Sequence, residues 1–295
     1  MKKRTIDRKG SSTAGYTCFT RACSTREKIE EFRGPDAMAE IFLPLFAKIM
    51  LNVTWLRKLC MSKMFPSGIY EYVNARTKLF DEIFLKALTQ GFPQIVILGA
   101  GMDTRALRFA EKNKGTKIFE LDIEKTQQPK IEILTEKGVT LPDDLIFVPI
   151  DFIKQSLSDA LFPAGYVQNQ KTLFLWEGVT MYLNAESVDR TLEFIRNKAQ
   201  SGSMVVFDYI YESVLRRENK YYGEEEIYRR VSSAGEGWTF GLEEDAIEDY
   251  LTKRGFTLVS HFTPAQLQEK YLTAEDGQTL GQINGTHCNV IAKTN

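Results

Sequence analysis

Four acidic residues each close a short apolar run in this sequence. Asp122 follows Lys117-Ile118-Phe119-Glu120-Leu121, Asp151 follows the run from Leu145 to Ile150, Glu177 follows Lys171 to Trp176, and Asp208 follows Ser203 to Phe207. A further run, Ile95 to Leu98, ends instead on Gly99-Ala100-Gly101. Uninterrupted β-branched and aromatic runs are the pattern of parallel strands buried on both faces, and ligands of open α/β sheets bind beyond the carboxyl ends of such strands. Any one of these acids could be a turn or cap residue. Together they predict a rim of negative potential over one crevice. Asp122, about 20 residues beyond the glycine turn, has the spacing of an acid that bonds a ribose hydroxyl from the second strand.

The sign of the rim bears on what it holds. Thr104 stands where a dinucleotide fingerprint would place its third glycine, and only Arg105 and Arg108 are at hand to receive a pyrophosphate. S-adenosylmethionine instead carries a sulfonium and an ammonium, which acids attract, and one carboxylate, which a lone arginine can take as a bidentate pair. Arg76 is such an arginine. It lies on the apolar stripe Tyr72, Leu79, Phe80, Ile83, Phe84, Ala87 and Leu88, so its guanidinium meets either a protein carboxylate or a ligand's.

These residues need a scaffold, and the order of the runs predicts one. Helical periodicity extends from Arg26 to Gly91, with one stripe through Met38, Ile41, Phe42, Leu45, Phe46, Ile49, Met50 and Val53 and a second helix from about Ile69 to Gln90. Strands and helices then alternate to Asp208, which implies a parallel sheet with right-handed crossovers. A helix over Glu243 to Arg254 and strands over Thr257 to Phe262 and Cys288 to Lys293 close the sheet, the last two as an antiparallel pair. Residues 209–242, rich in Tyr, Arg and Glu, read as a lid insertion. The expected organisation is one domain over 1–295: a helical cap over about 20–91, a core over 92–208 and 243–295, and the lid.

With 295 residues, 43% hydrophobic and 26% charged content and a net charge of −1, the composition is that of a soluble globular chain and gives no cause to expect a nucleic-acid or membrane partner. No secretory leader or spanning stretch is read, so the expected location is cytoplasmic. Cys18, Cys23, Cys60 and Cys288 form no Cys-x-x-Cys pair and read as reduced, buried thiols, with no metal site expected.

The chain resembles the leucine carboxyl methyltransferase family, in its microbial branch, from about Thr17 to Ala292. The residues that carry the likeness are Ala75-Arg76-Thr77-Lys78-Leu79-Phe80-Asp81, Ile97 to Arg105, Glu120-Leu121-Asp122, Asp151-Phe152, and Trp176 to Leu183. The resemblance implies a class I, Rossmann-like methyltransferase fold with helices on both faces of the sheet and S-adenosyl-L-methionine as cofactor. It implies that Arg76 holds the methionine carboxylate, that Gly99, with Gly101 in the same turn, lets the cofactor approach, and that Asp122 holds the ribose. Asp151 and Phe152 would frame adenine, Glu177 would stand near the methionyl amino group, and Arg21 would lie near the cofactor carboxylate. Segments specific to phosphatase substrates are not recognised.

The expected reaction is in-line methyl transfer to an oxygen of a small-molecule acceptor, a carboxylate slightly ahead of a phenol, the former needing no base. Tyr182 is placed either to orient that acceptor or to pack. His261 and His287 read as core or edge residues, and Tyr221, Tyr222, Tyr228 and Trp238 as either cavity wall or lid anchors. The alternatives are a protein C-terminal carboxyl methyltransferase, a donor-binding protein without turnover, and a nicotinamide-dependent oxidoreductase.

Overall fold

In the computed structural model, which describes residues 12–235 and 237–295, seven strands form one sheet in the order β3-β2-β1-β4-β5-β7-β6. They are β1 (Gln94–Leu98), β2 (Lys117–Asp122), β3 (Leu145–Pro149), β4 (Thr172–Trp176), β5 (Met204–Ile210), β6 (Phe256–Phe262) and β7 (His287–Thr294). The first five are parallel, and β7 enters antiparallel between β5 and β6. The order reverses between β1 and β4, which opens a crevice at their carboxyl ends.

Burial on both faces explains the apolar runs. Ile95 and Ile97 of β1 pack with Leu79, Phe80 and Phe84 of the Ile69–Thr89 helix, whereas Val96 and Leu98 join the opposite core with Phe119, Leu192 and Ile195. The alternation of faces along one strand leaves no position for a polar residue, so the run reads as continuous.

The amino-terminal region departs from the single stripe that the periodicity predicts. A 3₁₀ segment, Ala37–Phe42, ends before Pro44; helices Leu45–Asn52 and Thr54–Met64 follow, separated at Val53. Proline cannot continue the helix, so the restart after Pro44 rotates the face. Ala47 and Leu51 turn inward, while Leu45, Phe46 and Ile49 are left 75%, 66% and 55% exposed. Downstream, the expected Glu243–Arg254 helix is confined to Ile247–Thr252. A helix over Pro264–Leu272, absent from the expectation, carries its own sequence signal: Thr263 and Gln266 form a capping box around Pro264. Among the described residues no helix is long and apolar enough to cross a membrane. All four cysteines are free and buried.

Candidate functional site

A cavity of about 500 Å³ lies over the carboxyl ends of β1, β2 and β4. Every residue singled out above for the cofactor, together with Tyr182, is on its wall: Arg21, Arg76, Gly99, Gly101, Asp122, Asp151, Phe152 and Glu177. Sheet order accounts for the acids, because those at successive strand ends share one edge, while Arg21 and Arg76 arrive from the helices Ser12–Ser24 and Ile69–Thr89.

The glycine turn and Asp122 are built as a unit. Gly99 and Gly101 take φ of 72° and 50°, the left-handed region that favours glycine. The amide of Gly101 donates to Asp122 Oδ2 at 2.6 Å and that of Ile123 to Oδ1 at 2.7 Å. Burial pushes the Asp122 carboxyl up to about 6, although these two amides favour its charged form. On the far side of β2, Asp151 pairs with Lys154 at 2.6 Å beside Phe152.

Arg76 is committed to protein carboxylates. Its Nε lies 3.0 Å from Glu177 Oε1 and its Nη1 2.6 Å from Asp208 Oδ2, while Nη2 has no hydrogen-bond partner among the described residues. Asp208 is therefore not part of the rim. It is fully buried beneath it, where it also accepts from the Gly178 amide at 2.6 Å and the Tyr72 hydroxyl at 2.9 Å. The cause is that β5 runs on to Ile210, paired with β7, so Asp208 lies inside the strand rather than at its end.

Nor do Arg105 and Arg108 face the cavity. Arg105 reaches Asp81 at 2.8 Å, Asp103 at 2.5 Å and Glu177 at 2.8 Å; Arg108 reaches Asp81 at 2.6 Å and Asp36 at 3.3 Å. Arg21 pairs with Asp36 at 2.9 Å and donates to the Met102 carbonyl at 2.5 Å. The ion pairs form one continuous buried chain from Arg21 to Asp208, in which four guanidiniums face five carboxylates. Burial opposes ionisation of Glu177, yet Arg105 and Arg76 hold its carboxyl below the usual range. With Asp122 added, the acids stay in excess, which suits a cationic ligand better than a diphosphate.

The remaining wall is apolar and aromatic. Tyr72 and Ile69 come from the Ile69–Thr89 helix, Ile227 from the Glu224–Ala234 helix, and Trp238 from the segment after it. Trp238 meets Tyr182 edge to face, with centroids 6.5 Å apart. Of Tyr221, Tyr222, Tyr228 and Trp238, only Trp238 is on the wall: Tyr221 stacks on Tyr211 at 4.6 Å, Tyr228 takes Arg217 over its ring at 4.4 Å, and Tyr222 is exposed. His287 is buried, as a core reading expects, and is on the wall as well. His261 is at the edge as expected, on β6, 3.1 Å from the Tyr209 hydroxyl. Local sequence holds no signal that separates the two histidines; only the insertion of β7 beside β5 does.

Comparison with known proteins agrees with this geometry. The family profile described as leucine carboxyl methyltransferase matches residues 15–196. A Bacillus subtilis (strain 168) protein, YktD, named as a candidate S-adenosyl-L-methionine-dependent methyltransferase, is 30% identical over 199 residues, 68% of this chain and 65% of its own length. A similarly named protein of Mycolicibacterium paratuberculosis is 30% identical over 217 residues, 69% of this chain and 66% of its own. The chain thus spans slightly under two thirds of the length of the curated relatives it matches. Among solved structures, a candidate methyltransferase from Thermobifida fusca aligns with TM-score 0.58 at 14% identity over 96% of this chain and 97% of its own. A DUF574 family protein from Streptomyces avermitilis aligns with TM-score 0.61 at 9% identity, over 95% and 97%. At those identities the likeness is one of fold.

Proposed function

Since the chain belongs to the leucine carboxyl methyltransferase family, we propose that it binds S-adenosylmethionine in this cavity and transfers the methyl group to an oxygen of a small-molecule acceptor. The observation that carries this reading is the glycine turn clamped to Asp122 beside an ionic cluster with surplus carboxylate. Asp122 would take the ribose hydroxyls, Asp151 and Phe152 the adenine end, and Glu177 the ammonium. The unpartnered Nη2 of Arg76 would take the donor carboxylate, and Arg21 would support the same end of the site.

When bound, the donor supplies an activated methyl group on a cationic sulfur. What the chain must add is alignment and exclusion of water. The amino-terminal helix Ser12–Ser24 contributes Ala14 and Thr17 to one side of the cavity, and Ile227 and Trp238 cover another. A wall assembled from both directions over the strand ends supports a small acceptor in preference to a protein carboxyl terminus.

Titration calorimetry of the intact chain with S-adenosylmethionine, S-adenosylhomocysteine and a nicotinamide dinucleotide tests the donor assignment. Binding of the first two and not the third is expected; the reverse overturns it. Transfer of label from methyl-labelled donor to a panel of phenols and carboxylic acids then separates an enzyme from a binding protein without turnover.

A further inference from the structure

His287 stands at the first position of β7, opposite Ile210 of β5, and reaches the cavity with its imidazole held on two sides. Tyr72 stacks on it at 4.5 Å between centroids, and Trp238 meets it edge to face at 5.3 Å. A third restraint fixes the tautomer. Thr286 Oγ1 lies 2.6 Å from Asn284 Oδ1 and 2.7 Å from His287 Nδ1. The orientation of the Asn284 amide is set by its Nδ2, which donates to the Ser67 carbonyl at 2.9 Å, and by the Thr286 amide, which donates to Oδ1 at 3.2 Å. Oδ1 can only accept, so the single Thr286 hydroxyl proton goes to Asn284 and Thr286 Oγ1 must accept from Nδ1–H. The proton of the neutral ring is thereby on Nδ1. Nε2 is left with its lone pair and has no hydrogen-bond partner among the described residues.

We infer that His287 Nε2 is the acceptor for the hydroxyl proton of the methyl acceptor, and that this site therefore selects aromatic hydroxyl compounds over carboxylates. The inference rests on the methyl-transfer reading above. An ionised carboxylate has only lone pairs to offer and would face the lone pair of Nε2; a phenol donates to it. The aromatic wall of Tyr72, Tyr182 and Trp238 suits a planar acceptor. This reverses the order in which the sequence by itself ranks the two acceptors.

The ring is neutral at pH 7, because burial, then the charge of Arg76, pushes its pKa down to about 3. It is a weak base, and takes the proton only from a hydroxyl made strongly acidic by bonding to the methyl carbon. In the step itself the acceptor oxygen forms the new O–CH₃ bond while the S–CH₃ bond breaks, its electron pair remaining on sulfur. The hydroxyl proton passes to Nε2. The positive charge that leaves the sulfonium thus reappears as imidazolium, so the net charge of the site is conserved. The proton moves as the O–CH₃ bond forms, when the hydroxyl oxygen carries positive charge and is a far stronger acid than the imidazolium. Water takes the proton once the product departs.

The chain has two histidines, so nitrogen NMR of ¹⁵N-histidine-labelled protein resolves both, with His261 as internal reference. At pH 7 His287 is expected in the Nδ1–H form. In the presence of S-adenosylhomocysteine, phenol should shift Nε2 and benzoate should not. An Nε2–H form, an imidazolium, a shift with benzoate or no response to phenol overturns the inference. In labelled-donor assays His287→Gln should lose at least about 100-fold in transfer to phenols, the usual scale of acid–base catalysis. Calorimetric affinity for S-adenosylhomocysteine should stay within about threefold. Thr286→Val, which removes the partner of Nδ1 and leaves the ring in place, should redistribute the tautomers and lower the same rate. Failure of donor binding in the unaltered chain would sink the methyl-transfer reading; intact donor binding with unchanged phenol turnover in His287→Gln would sink this inference alone.

Discussion

Arg76 on the Ile69–Thr89 helix and Asp208 in β5, 132 residues apart, meet at 2.6 Å in the interior, and each is also bound to a cavity residue or its neighbour: Arg76 to Glu177, Asp208 to the Gly178 amide. Removing one partner of a buried pair strands the other charge, at a cost of about 3–5 kcal/mol. Arg76→Ala should therefore lower stability by that order in denaturant unfolding. The double variant Arg76→Met with Asp208→Asn should recover much of the loss yet still fail to bind donor in calorimetry. Recovery of donor affinity together with stability would show that Arg76 serves the fold alone.

Asp122 reaches the cavity without such a charged partner among the described residues; its carboxylate is held by two amides and the Thr126 side chain. Asp122→Ala should weaken S-adenosylhomocysteine binding by about 10-fold to 100-fold, the worth of hydrogen bonds to a charged group. Its thermal unfolding should stay within a few degrees of the unaltered chain. Undiminished affinity would remove Asp122 from the site.

The same carboxyl predicts a pH dependence. Its folded pKa is raised, to about 6 from 3.8, so the ligand-free chain favours the protonated form and the associated stability is lost as pH rises through about 6. Ribose hydroxyls donate to the ionised form. The rise in melting temperature caused by saturating S-adenosylhomocysteine should accordingly grow from pH 5 to pH 7. Glu120 is pushed in the same direction by burial but is not on the cavity wall, so its effect should appear equally with and without ligand.

At Gly99 the backbone has φ of 72°, and an added Cβ would come within 2.4 Å of Val179 Cγ2. Gly99→Ala should be destabilised by at least the roughly 1–2 kcal/mol of left-handed backbone strain, and donor affinity should fall with it. Adding Val179→Ala removes the clash but not the strain, so differential scanning fluorimetry should show partial recovery.

Burial pushes the thiols of Cys18, Cys23 and Cys288 up to about 11, 12 and 12. At pH 8 a disulfide-exchange reagent should label none of these three in the native chain within minutes and all of them in denaturant. Rapid native labelling would mean that local opening exposes them.

The strands β1, β2 and β4 are legible in the sequence because both of their faces are buried, which makes the runs largely apolar, and the ends of β2 and β4 then locate Asp122 and Glu177 directly. Asp208 departs from its expected place on the rim, and His287 comes to line the cavity, for one shared reason. Their environment is set by β7, which pairs antiparallel with β5 as far as Ile210 and His287; that long-range pairing leaves no trace in local periodicity. The outward-facing Leu45, Phe46 and Ile49 depart from it because Pro44 resets a helix whose apolar spacing runs on unbroken.

The ion-pair chain from Arg21 to Asp208 also bears on attempts to trim the protein. Excising the first 91 residues to obtain a minimal sheet domain would delete Arg21, Asp36, Arg76 and Asp81 at one stroke. Arg108 and Asp208 would then keep their interior addresses without their counter-charges and Arg105 would lose one of its three, so the amino-terminal helices and the sheet are expected to be expressed and engineered together.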